Sequence, residues 1–346
     1  MGTPLRLLSP KLLTPKSPVS FGKFFESKSN EKRLTNLPKT LSYPISPQNL
    51  LGSKENGMRQ TDIQIKISDF SSKEKLLIVK TPEKFEILEN GLGEADFNIL
   101  GRGSFGTVVT GIYKNEDVAV KVVKLRPNEE LNEVKALNLI HKNIVQTIDV
   151  LINSNMNYAI VIMECLRTAK HLQNLLDNEN IFLERGLILK YTLDITMGLS
   201  FCHKNNLVHM DLKPANILVC ENGVCKLCDF GSCYNIETDS QKDYYHRGTI
   251  AYTAPEILLG EKPTKKCDVY SLGITLWQML ARKAPYGEIH HYEVIVYKVV
   301  KFELRPEFLQ DSNDSLQNLY VKCWSTAPHE RPNCSDIIAI LSCHCD

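Results

Sequence analysis

One short segment of the chain carries a carboxylate, an ammonium group and an amide within six residues. Residues 209–216 read HMDLKPAN, so Lys213 follows Asp211 by two positions and Asn216 follows it by five. From a single loop, three such side chains are able to converge on one phosphoryl group. Asp211 is expected to orient an attacking hydroxyl and accept its proton, Lys213 to neutralise the phosphoryl charge, and Asn216 to bind Mg²⁺. The pattern predicts phosphoryl transfer with Asp211 and Lys213 as catalytic residues.

A second candidate ligand for a metal ion is Asp229. It begins the tripeptide Asp229-Phe230-Gly231 and follows residues 223–228, an apolar run that predicts a strand. A carboxylate is a hard oxygen ligand, the kind that Mg²⁺ prefers. Asp229 is therefore predicted to hold the metal together with Asn216. Since either motif alone is common by chance, the prediction depends on their order with the motifs below.

Residues 101–108 form a glycine-rich run, GRGSFGTV. Dinucleotide-binding folds use glycines at similar spacings, but in those folds a helix follows the glycines. Here β-branched residues follow, so the run predicts a hairpin whose backbone amides approach phosphate oxygens without a Cβ in the way. An ordinary glycine-rich turn is the alternative.

A lysine and a glutamate follow the glycine-rich run at a suggestive offset. Lys121 ends the apolar run 118–121, VAVK, and Glu133 lies twelve positions later in a helix predicted around 129–139. On a strand inside a cleft, Lys121 is able to reach the α- and β-phosphates of a nucleotide, and Glu133 to hold its ammonium group. Each residue alone fits an exposed surface position equally well. Both at this offset after a glycine-rich hairpin indicate a nucleotide site.

The elements that must position these residues fall into two groups. Four strands are predicted before residue 165, at 107–112, 118–123, 144–150 and 158–164, the first two joined by a hairpin turn. After residue 172 the apolar pattern lengthens to a helical period, as in 187–204 and 269–280. Strands followed by helices predict an α+β fold with two lobes, a small β-rich one and a larger helical one, with a cleft between them.

The first 84 residues differ in composition from the rest of the chain. They carry 15 Lys and Arg against 7 Asp and Glu, a net charge of +8, whereas the remainder carries −7. They are rich in Ser, Lys and Pro and show little periodicity before residue 63, so residues 1–84 are predicted to be mostly disordered. Residues 63–67, IQIKI, alternate as a short strand does, and either add to a sheet edge or stay unpaired.

Charge and hydropathy exclude several classes of protein. The formal net charge of the whole chain is +1, which argues against a dedicated nucleic-acid-binding protein. No uninterrupted apolar stretch is long enough for a membrane span, and none at the N-terminus is long enough for a signal peptide. All 11 cysteines lie at or after Cys165, an odd number typical of free thiols. A cytoplasmic protein is expected, and a monomer.

These motifs occur together in the order found in protein kinases. Residues 94–343 resemble the protein kinase family, with 94–165 as the N-lobe and 166–343 as the C-lobe. Two segments resemble its framework, namely the end of an activation segment in 248–256 (GTIAYTAPE) and the start of a buried helix that braces the catalytic loop in 268–273 (DVYSLG). The resemblance also implies a buried structural ion pair between Arg331 and Glu256.

The resemblance implies ATP as the phosphoryl donor, Mg²⁺ as the cofactor and a protein as the acceptor. It puts Met163 at the gatekeeper position and residues 164–166 in the hinge that binds adenine through its backbone. Lys213 together with Thr249 is the serine/threonine pattern. The nucleotide-binding residues on the family pattern are Leu100, Gly101, Arg102, Gly103, Ser104, Phe105, Gly106, Thr107, Val108, Ala119, Lys121, Glu133, Met163, Glu164 and Leu166.

Finer features favour one subfamily. Residues 209–211 (HMD) lack the arginine that most kinases carry between the histidine and the aspartate, where it pairs with a phosphate on the activation loop. The Mos family of germ-cell kinases likewise has an apolar residue there, and the chain resembles it further in the segments 211–218 (DLKPANIL), 224–226 (VCK), 274–279 (ITLWQM) and 284–286 (APY).

The Mos resemblance implies a serine/threonine kinase that phosphorylates a MAP-kinase kinase during the meiotic maturation of oocytes. A Raf-like or mixed-lineage kinase is one alternative, disfavoured because no lipid-binding or small-GTPase-binding module is seen upstream. A pseudokinase that signals as a scaffold is the other alternative. It is disfavoured because the whole catalytic set from Lys121 to Asp229 is present.

Overall fold

The computed structural model describes residues 63–67, 75–79, 99–103, 106–125, 131–153, 158–239, 248–309 and 315–343. All of them fall within one unit, residues 58–346. Most of the segment 1–84 that was predicted to be disordered lies outside the described residues. Ser104 and Phe105, at the tip of the glycine-rich run, lie outside them as well.

Seven antiparallel strands of the described chain form the sheet of the N-lobe. They are β1 Ile63–Ile67, β2 Lys75–Val79, β3 Ile99–Gly103, β4 Gly106–Tyr113, β5 Glu116–Lys124, β6 Thr147–Asn153 and β7 Tyr158–Glu164. The strand order is β1-β2-β4-β5-β7-β6, and β3 also pairs with β4. The start of β4 pairs with β3 and its end with β2.

The hairpin predicted between 107–112 and 118–123 is confirmed as β4 and β5. Lys114 and Asn115 join these strands with φ angles of 53° and 65°, the sign that a two-residue type I′ turn requires at both positions. The strand at 63–67 is present as β1. It pairs with β2, which the sequence pattern did not single out, and the sheet thus includes residues N-terminal to position 94.

Two elements between β5 and β7 differ from the prediction. Instead of a long helix at 129–139, the described residues there contain a short 3-10 helix, Asn132–Ala136. Asparagine and valine are weak helix formers, and the turns close with i→i+3 bonds such as that from the Val134 N–H to the Leu131 carbonyl. β6 begins at residue 147 and not at 144, because Ile144 makes an isolated parallel bridge to Leu227 of the C-lobe.

Helices dominate the C-lobe. They are α1 Leu172–Asp177, α2 Arg185–Lys204, α3 Pro255–Leu258, α4 Lys265–Ala281, α5 Tyr292–Lys301, α6 Ser315–Cys323 and α7 Cys334–Ser342. Short strands complete it, namely β8 Lys170–His171, β9 Leu207–Val208, β10 Ile217–Val219, β11 Cys225–Leu227 and β12 Tyr234–Asn235. None of the helices in the described residues is long and apolar enough to cross a membrane.

α4 lies at the centre of the C-lobe core. Its residues are buried on all sides from Cys267 to Met279, as expected of a helix inside a lobe and not on its surface. A Cβ on Gly273 would lie 2.8 Å from the Cys323 Cβ, so only glycine lets α4 pack this closely against α6. The N-terminal turn of α4, which carries Asp268, is thereby fixed beneath the catalytic loop.

Candidate active site

Strands β4, β5 and β7 place four of the predicted nucleotide-binding side chains on one face of the sheet. Val108 is opposite Lys121 in the antiparallel register, and Ala119 is opposite Met163. Cross-strand partners share a face, and so do residues i and i+2 of one strand. Ala119 and Lys121 are buried on this face, whereas Val108 and Met163 are half-buried at its edge.

β3 and β4 form the hairpin predicted for the glycine-rich run. The register pairs are Gly101 with Val108, Arg102 with Thr107 and Gly103 with Gly106. Half-buried Leu100 lies at a shift in register, between the paired positions Ile99 and Gly101. No helix follows the glycines, so the described backbone has the arrangement expected of a phosphate-covering hairpin and not that of a dinucleotide fold.

Lys121 is the centre of a buried group of charges. Its Nζ lies 2.8 Å from Glu133 Oε1 and 2.8 Å from Asp229 Oδ1, which brings β5, the 3-10 helix and the loop after β11 together. Burial opposes the ammonium charge, but the Asp229 and Glu133 carboxylates outweigh it and raise the pKa of Lys121. Burial likewise opposes the Asp229 charge, yet Lys121 lowers the pKa of that carboxyl. Both groups are therefore charged at neutral pH.

The backbone at Asp229 is what directs its carboxylate toward Lys121. Asp229 has φ 62° and ψ 78°, a left-handed conformation that is uncommon for a residue with a side chain. The Gly231 N–H donates to Asp229 Oδ1 at 3.4 Å. Phe230 turns into the core, where its ring lies 5.0 Å from that of His209. The side chains of these adjacent residues thus point in different directions, that of Asp229 toward Lys121 and that of Phe230 into the core.

Asp211 is the centre of a second hydrogen-bonded cluster. Its Oδ2 accepts from Lys213 Nζ at 2.9 Å and from Asn216 Nδ2 at 2.9 Å, and its Oδ1 accepts from the Thr249 hydroxyl at 2.8 Å. Lys213 also donates to Thr249 Oγ1 at 2.6 Å. The three residues that the sequence placed on one loop do meet, and Thr249 joins them from the activation segment. The carboxylate is thus oriented from three sides.

Asn216 and Asp229 offer oxygen atoms that fit a divalent cation. The Asn216 amide uses Nδ2 for both of its bonds to Asp211, and Asp229 uses Oδ1 for its bonds to Lys121 and Gly231. The second oxygen of each side chain accepts no hydrogen bond within the described ranges. No group of three or more His, Cys, Asp and Glu residues there could hold a metal alone. Mg²⁺ is commonly held by one or two carboxylates together with substrate phosphates.

Glu164 is the last residue of β7 and the first of the predicted hinge, and its side chain already forms hydrogen bonds within the protein. Glu164 Oε1 accepts from the Gln146 N–H at 2.8 Å, and Lys226 Nζ lies 2.7 and 2.9 Å from the two carboxylate oxygens. The side chain of Glu164 is therefore not available to a nucleotide, and its N–H also donates to the Gln146 carbonyl at 3.0 Å. The N–H of half-buried Leu166 has no hydrogen-bond partner among the residues described, so it offers a donor to an adenine nitrogen.

Buried Asp268 holds the backbone of the catalytic loop. Its Oδ2 accepts from the His209 N–H at 2.8 Å and its Oδ1 from the Met210 N–H at 2.9 Å. Met210 has a φ of 68°, and these bonds stabilise that unfavourable conformation. Asp268 Oδ2 also lies 2.8 Å from His203 Nε2 on α2, so a buried histidine and carboxylate brace the loop together.

The activation segment passes directly over this part of the catalytic loop. Gly248 has a φ of +92°, and a Cβ at this position would lie 2.4 Å from the Met210 carbonyl oxygen. The next residue, Thr249, donates to Asp211. Glycine is needed at 248 because both the backbone conformation and the space exclude a side chain.

The His203–Asp268 pair predicts that stability falls at alkaline pH. Burial opposes a charge on His203, but hydrogen bonds with Asp268 and Cys334 and the Asp268 charge outweigh it and raise its pKa to about 9, from an ordinary value of 6.5. Because folding raises the pKa of His203, protonation of this histidine stabilises the fold. The stabilisation is fully present below pH 6.5 and is lost progressively as the pH rises to 9. We expect urea denaturation to show a decrease on the order of 3 kcal/mol in the free energy of unfolding across that range.

A neutral variant isolates the contribution of this histidine. His203→Gln retains a donor toward Asp268 but cannot become charged, and should remove most of the pH dependence. His290→Gln, which changes an exposed histidine, should leave it in place. An unaltered pH dependence in His203→Gln would contradict the assignment.

Glu256 and Arg331 form the buried ion pair that the resemblance implied. Arg331 Nη1 and Nη2 lie 2.6 and 2.8 Å from the two carboxylate oxygens of Glu256. The guanidinium also donates to the carbonyls of Lys266, Ser325 and Thr326, and the residue is 1% exposed. The pair joins the end of the activation segment to the loop before α7 and lies apart from the reacting groups.

Several supporting residues carried no signal in the sequence. Lys226 is 62 positions from Glu164, and Lys135 is 104 positions from Asp239, its partner in the activation segment. Asn132, next to Glu133, binds the Gly231 carbonyl at 2.9 Å. No local spacing marks such pairs, since the fold alone brings them together.

Comparison with known proteins identifies the family. Residues 95–340 match the model of the protein kinase domain. The serine/threonine-protein kinase mos of Patiria pectinifera is 36% identical over 269 residues, which cover 72% of this chain and 76% of that protein. The proto-oncogene serine/threonine-protein kinase mos of Mus musculus is 35% identical over 265 residues, 67% of this chain and 75% of the mouse protein. The corresponding rat protein is 35% identical over 263 residues, 67% and 76% of the two chains.

The geometry and the relatives agree on one class of enzyme. The structure has the β-sheet N-lobe and helical C-lobe that the sequence predicted, and the kinase domain model covers most of the chain. A protein kinase uses ATP and a divalent metal ion and acts on a protein substrate. This chain belongs to the protein kinase family and, within it, to the Mos family of serine/threonine-protein kinases.

Proposed function

We propose that this chain is an active kinase that transfers the γ-phosphoryl group of ATP to serine or threonine residues of a MAP-kinase kinase. The observation that supports the activity is the assembly of two clusters, one around Lys121 and the other around Asp211. Membership of the Mos family supports the choice of substrate and a role in meiotic maturation and arrest of oocytes. All ten cysteines of the described residues are free thiols, which fits our further proposal that the protein is cytoplasmic. We also propose that it is a monomer.

The first cluster is suited to hold the nucleotide. Glu133 and Asp229 fix the Lys121 ammonium on the cleft face of the sheet, where it would bind the α- and β-phosphates. The backbone amides of residues 101–106 would cover the phosphates, and the backbone of 164–166 would bind adenine. Asn216 and Asp229 would hold Mg²⁺, which when bound neutralises charge on the phosphate oxygens.

The second cluster is suited to activate the acceptor hydroxyl. Each oxygen of a carboxylate accepts two hydrogen bonds, so Asp211 Oδ1 retains one position for the acceptor while Thr249 occupies the other. The hydroxyl oxygen then forms the bond to the γ-phosphorus as the bond from phosphorus to the bridging oxygen of ADP breaks. The hydroxyl proton passes to Asp211, and Lys213 compensates the charge on the phosphoryl group in transit.

A substrate panel tests the proposed acceptor. Purified full-length protein with ATP and Mg²⁺ should phosphorylate a MAP-kinase kinase with a kcat/KM at least about tenfold above that for unrelated protein kinases offered as acceptors, because specificity is a ratio of kcat/KM values. The acceptors are used as catalytically inactive variants, so that only the added enzyme transfers phosphate. Equal rates across the panel would contradict the substrate assignment, and the absence of any transfer would contradict the activity itself.

A further inference from the structure

The 3-10 helix that carries Glu133 is tied to the first part of the activation segment at three places. The Asn132 side chain donates to the Gly231 carbonyl at 2.9 Å, and the Asn132 carbonyl accepts from Cys233 Sγ at 3.3 Å. Lys135 Nζ lies 2.5 Å from Asp239 Oδ2. Glu133 lies between Asn132 and Lys135, so these contacts bracket the residue that holds Lys121.

Asp239 is itself held rigidly in the turn after β12. Its Oδ2 also accepts from the Asn235 N–H at 3.0 Å, and its backbone N–H donates to the Asn235 carbonyl at 3.1 Å. The Tyr234 hydroxyl donates to the Asp239 carbonyl at 3.1 Å. The side chain of Asp239 is 4% exposed and that of Lys135 is 16% exposed, so the pair is largely screened from solvent. A charge-assisted bond in such surroundings is considerably stronger than one at the surface.

Lys135 connects the contact made by Asp239 with the contact made by Asn132. Its Nζ donates to Asn132 Oδ1 at 2.8 Å as well as to Asp239, so the ammonium links the activation segment to the residue beside Glu133. Loss of either charge would release one end of a short helix that closes with only i→i+3 bonds.

The catalytic loop offers no alternative anchor for a phosphorylated activation segment at Met210. The Met210 side chain is buried, with its sulfur 3.6 Å from Cys267 Sγ, so this position presents no cation to a phosphate. In kinases that switch by loop phosphorylation, new pairs between arginine and phosphate order the segment. Here an unmodified carboxylate and an ammonium group already connect the segment to the helix.

We propose that Lys135 and Asp239 are positioning residues whose ion pair keeps Glu133 bound to Lys121 without phosphorylation of the activation segment. This inference rests on the proposed kinase activity and adds to it the means by which the active arrangement is maintained. The pair acts through Glu133 and touches neither the nucleotide nor the acceptor. Its expected signature is a loss in kcat/KM for ATP together with loosening of the 3-10 helix.

A double-mutant cycle tests the pair in the full-length protein. Lys135→Met keeps the aliphatic stem, and Asp239→Asn keeps an acceptor for the Asn235 N–H. Each should lower kcat/KM for ATP about tenfold, because the free energy of one hydrogen bond to a charged group corresponds to about that factor. The KM for the acceptor protein should change little. The double variant should lose no more than either single variant, because the two residues act as one unit. Lys135→Arg should retain most of the activity.

Hydrogen exchange gives a readout that needs no acceptor. The amides of Val134, Leu137 and Leu139 close the turns of this segment and should exchange faster in Lys135→Met and Asp239→Asn than in the wild type. Glu237→Gln is the matched control, because this exposed carboxylate lies two residues from Asp239 but binds Asn206 of the C-lobe. It should change neither exchange nor kinetics.

The outcomes separate this proposal from the proposed function. Additive losses in the cycle, or Asp239→Asn kinetics equal to those of Glu237→Gln, would overturn the pair's role while leaving the kinase assignment intact. Phosphatase treatment should leave wild-type activity unchanged, and a collapse of activity would show that phosphate and not Asp239 holds the segment. If no acceptor is phosphorylated, the exchange data still decide whether the pair holds the helix.

Discussion

Replacing Asp211 by Asn should lower kcat about 10³-fold while changing the affinity for ATP with Mg²⁺ by less than a factor of about three. Asparagine has the same shape but cannot accept the hydroxyl proton. Its NH₂ group would also face one of the donors that now bind the carboxylate, namely Thr249, Lys213 or Asn216. Steady-state kinetics and calorimetric titration of the nucleotide measure the two quantities separately.

A matched control and a cellular readout complete this test. Asp117→Asn makes the same change at an exposed carboxylate that pairs with Arg167 and should leave kcat unaltered. A kcat for Asp211→Asn within about tenfold of the wild type would mean that another group accepts the proton. If this variant still drove meiotic maturation when expressed in oocytes, a scaffold role would replace the enzymatic one.

Replacing Arg331 by Met should lower the free energy of unfolding by about 3–5 kcal/mol. The substitution leaves the Glu256 carboxylate buried without its partner and removes donors from three backbone carbonyls. Urea denaturation of the full-length protein, followed by circular dichroism, measures the loss. Catalytic contacts are not involved, so kcat per folded molecule should stay near that of the wild type.

Two further variants distinguish a buried charge from a general loss of packing. The double variant Glu256→Met with Arg331→Met should be more stable than Arg331→Met alone, because no charge is then left unpaired. Arg167→Met breaks an exposed pair in which both side chains are about half accessible, and should cost no more than about 1 kcal/mol. If Arg331→Met lowered the free energy of unfolding by no more than Arg167→Met does, the buried pair would contribute little to stability.

The residues that meet around Asp211 could be predicted because their spacing is local. Lys213 and Asn216 follow Asp211 within five positions, and a single loop is enough to gather them. The apolar runs of β4 and β5, with the turn at 114–117, likewise predicted the hairpin that carries Lys121. The resemblance to the protein kinase family then indicated that this hairpin and the distant loop around Asp211 belong to one site.

The supporting contacts could not be predicted because each depends on the finished fold. Lys226 has no feature that distinguishes it from a surface lysine until β11 is placed behind the hinge, next to Glu164. The helix around Glu133 was predicted too long, since the tertiary bonds of Asn132 and Lys135 stabilise a short 3-10 helix that includes the weak helix formers Asn132 and Val134. β2 was missed because four apolar residues inside a polar, lysine-rich segment give too weak a pattern.

Gly248 couples two properties that an enzyme would otherwise adapt separately. Because Gly248 has no side chain, its backbone lies directly against the carbonyl of Met210, and any larger residue would displace both. The next residue, Thr249, bonds Asp211, and the Met210 carbonyl belongs to the loop that carries Asp211. A substitution at position 248 would therefore move the activation segment and the catalytic loop together, and neither one is able to change its path here independently of the other.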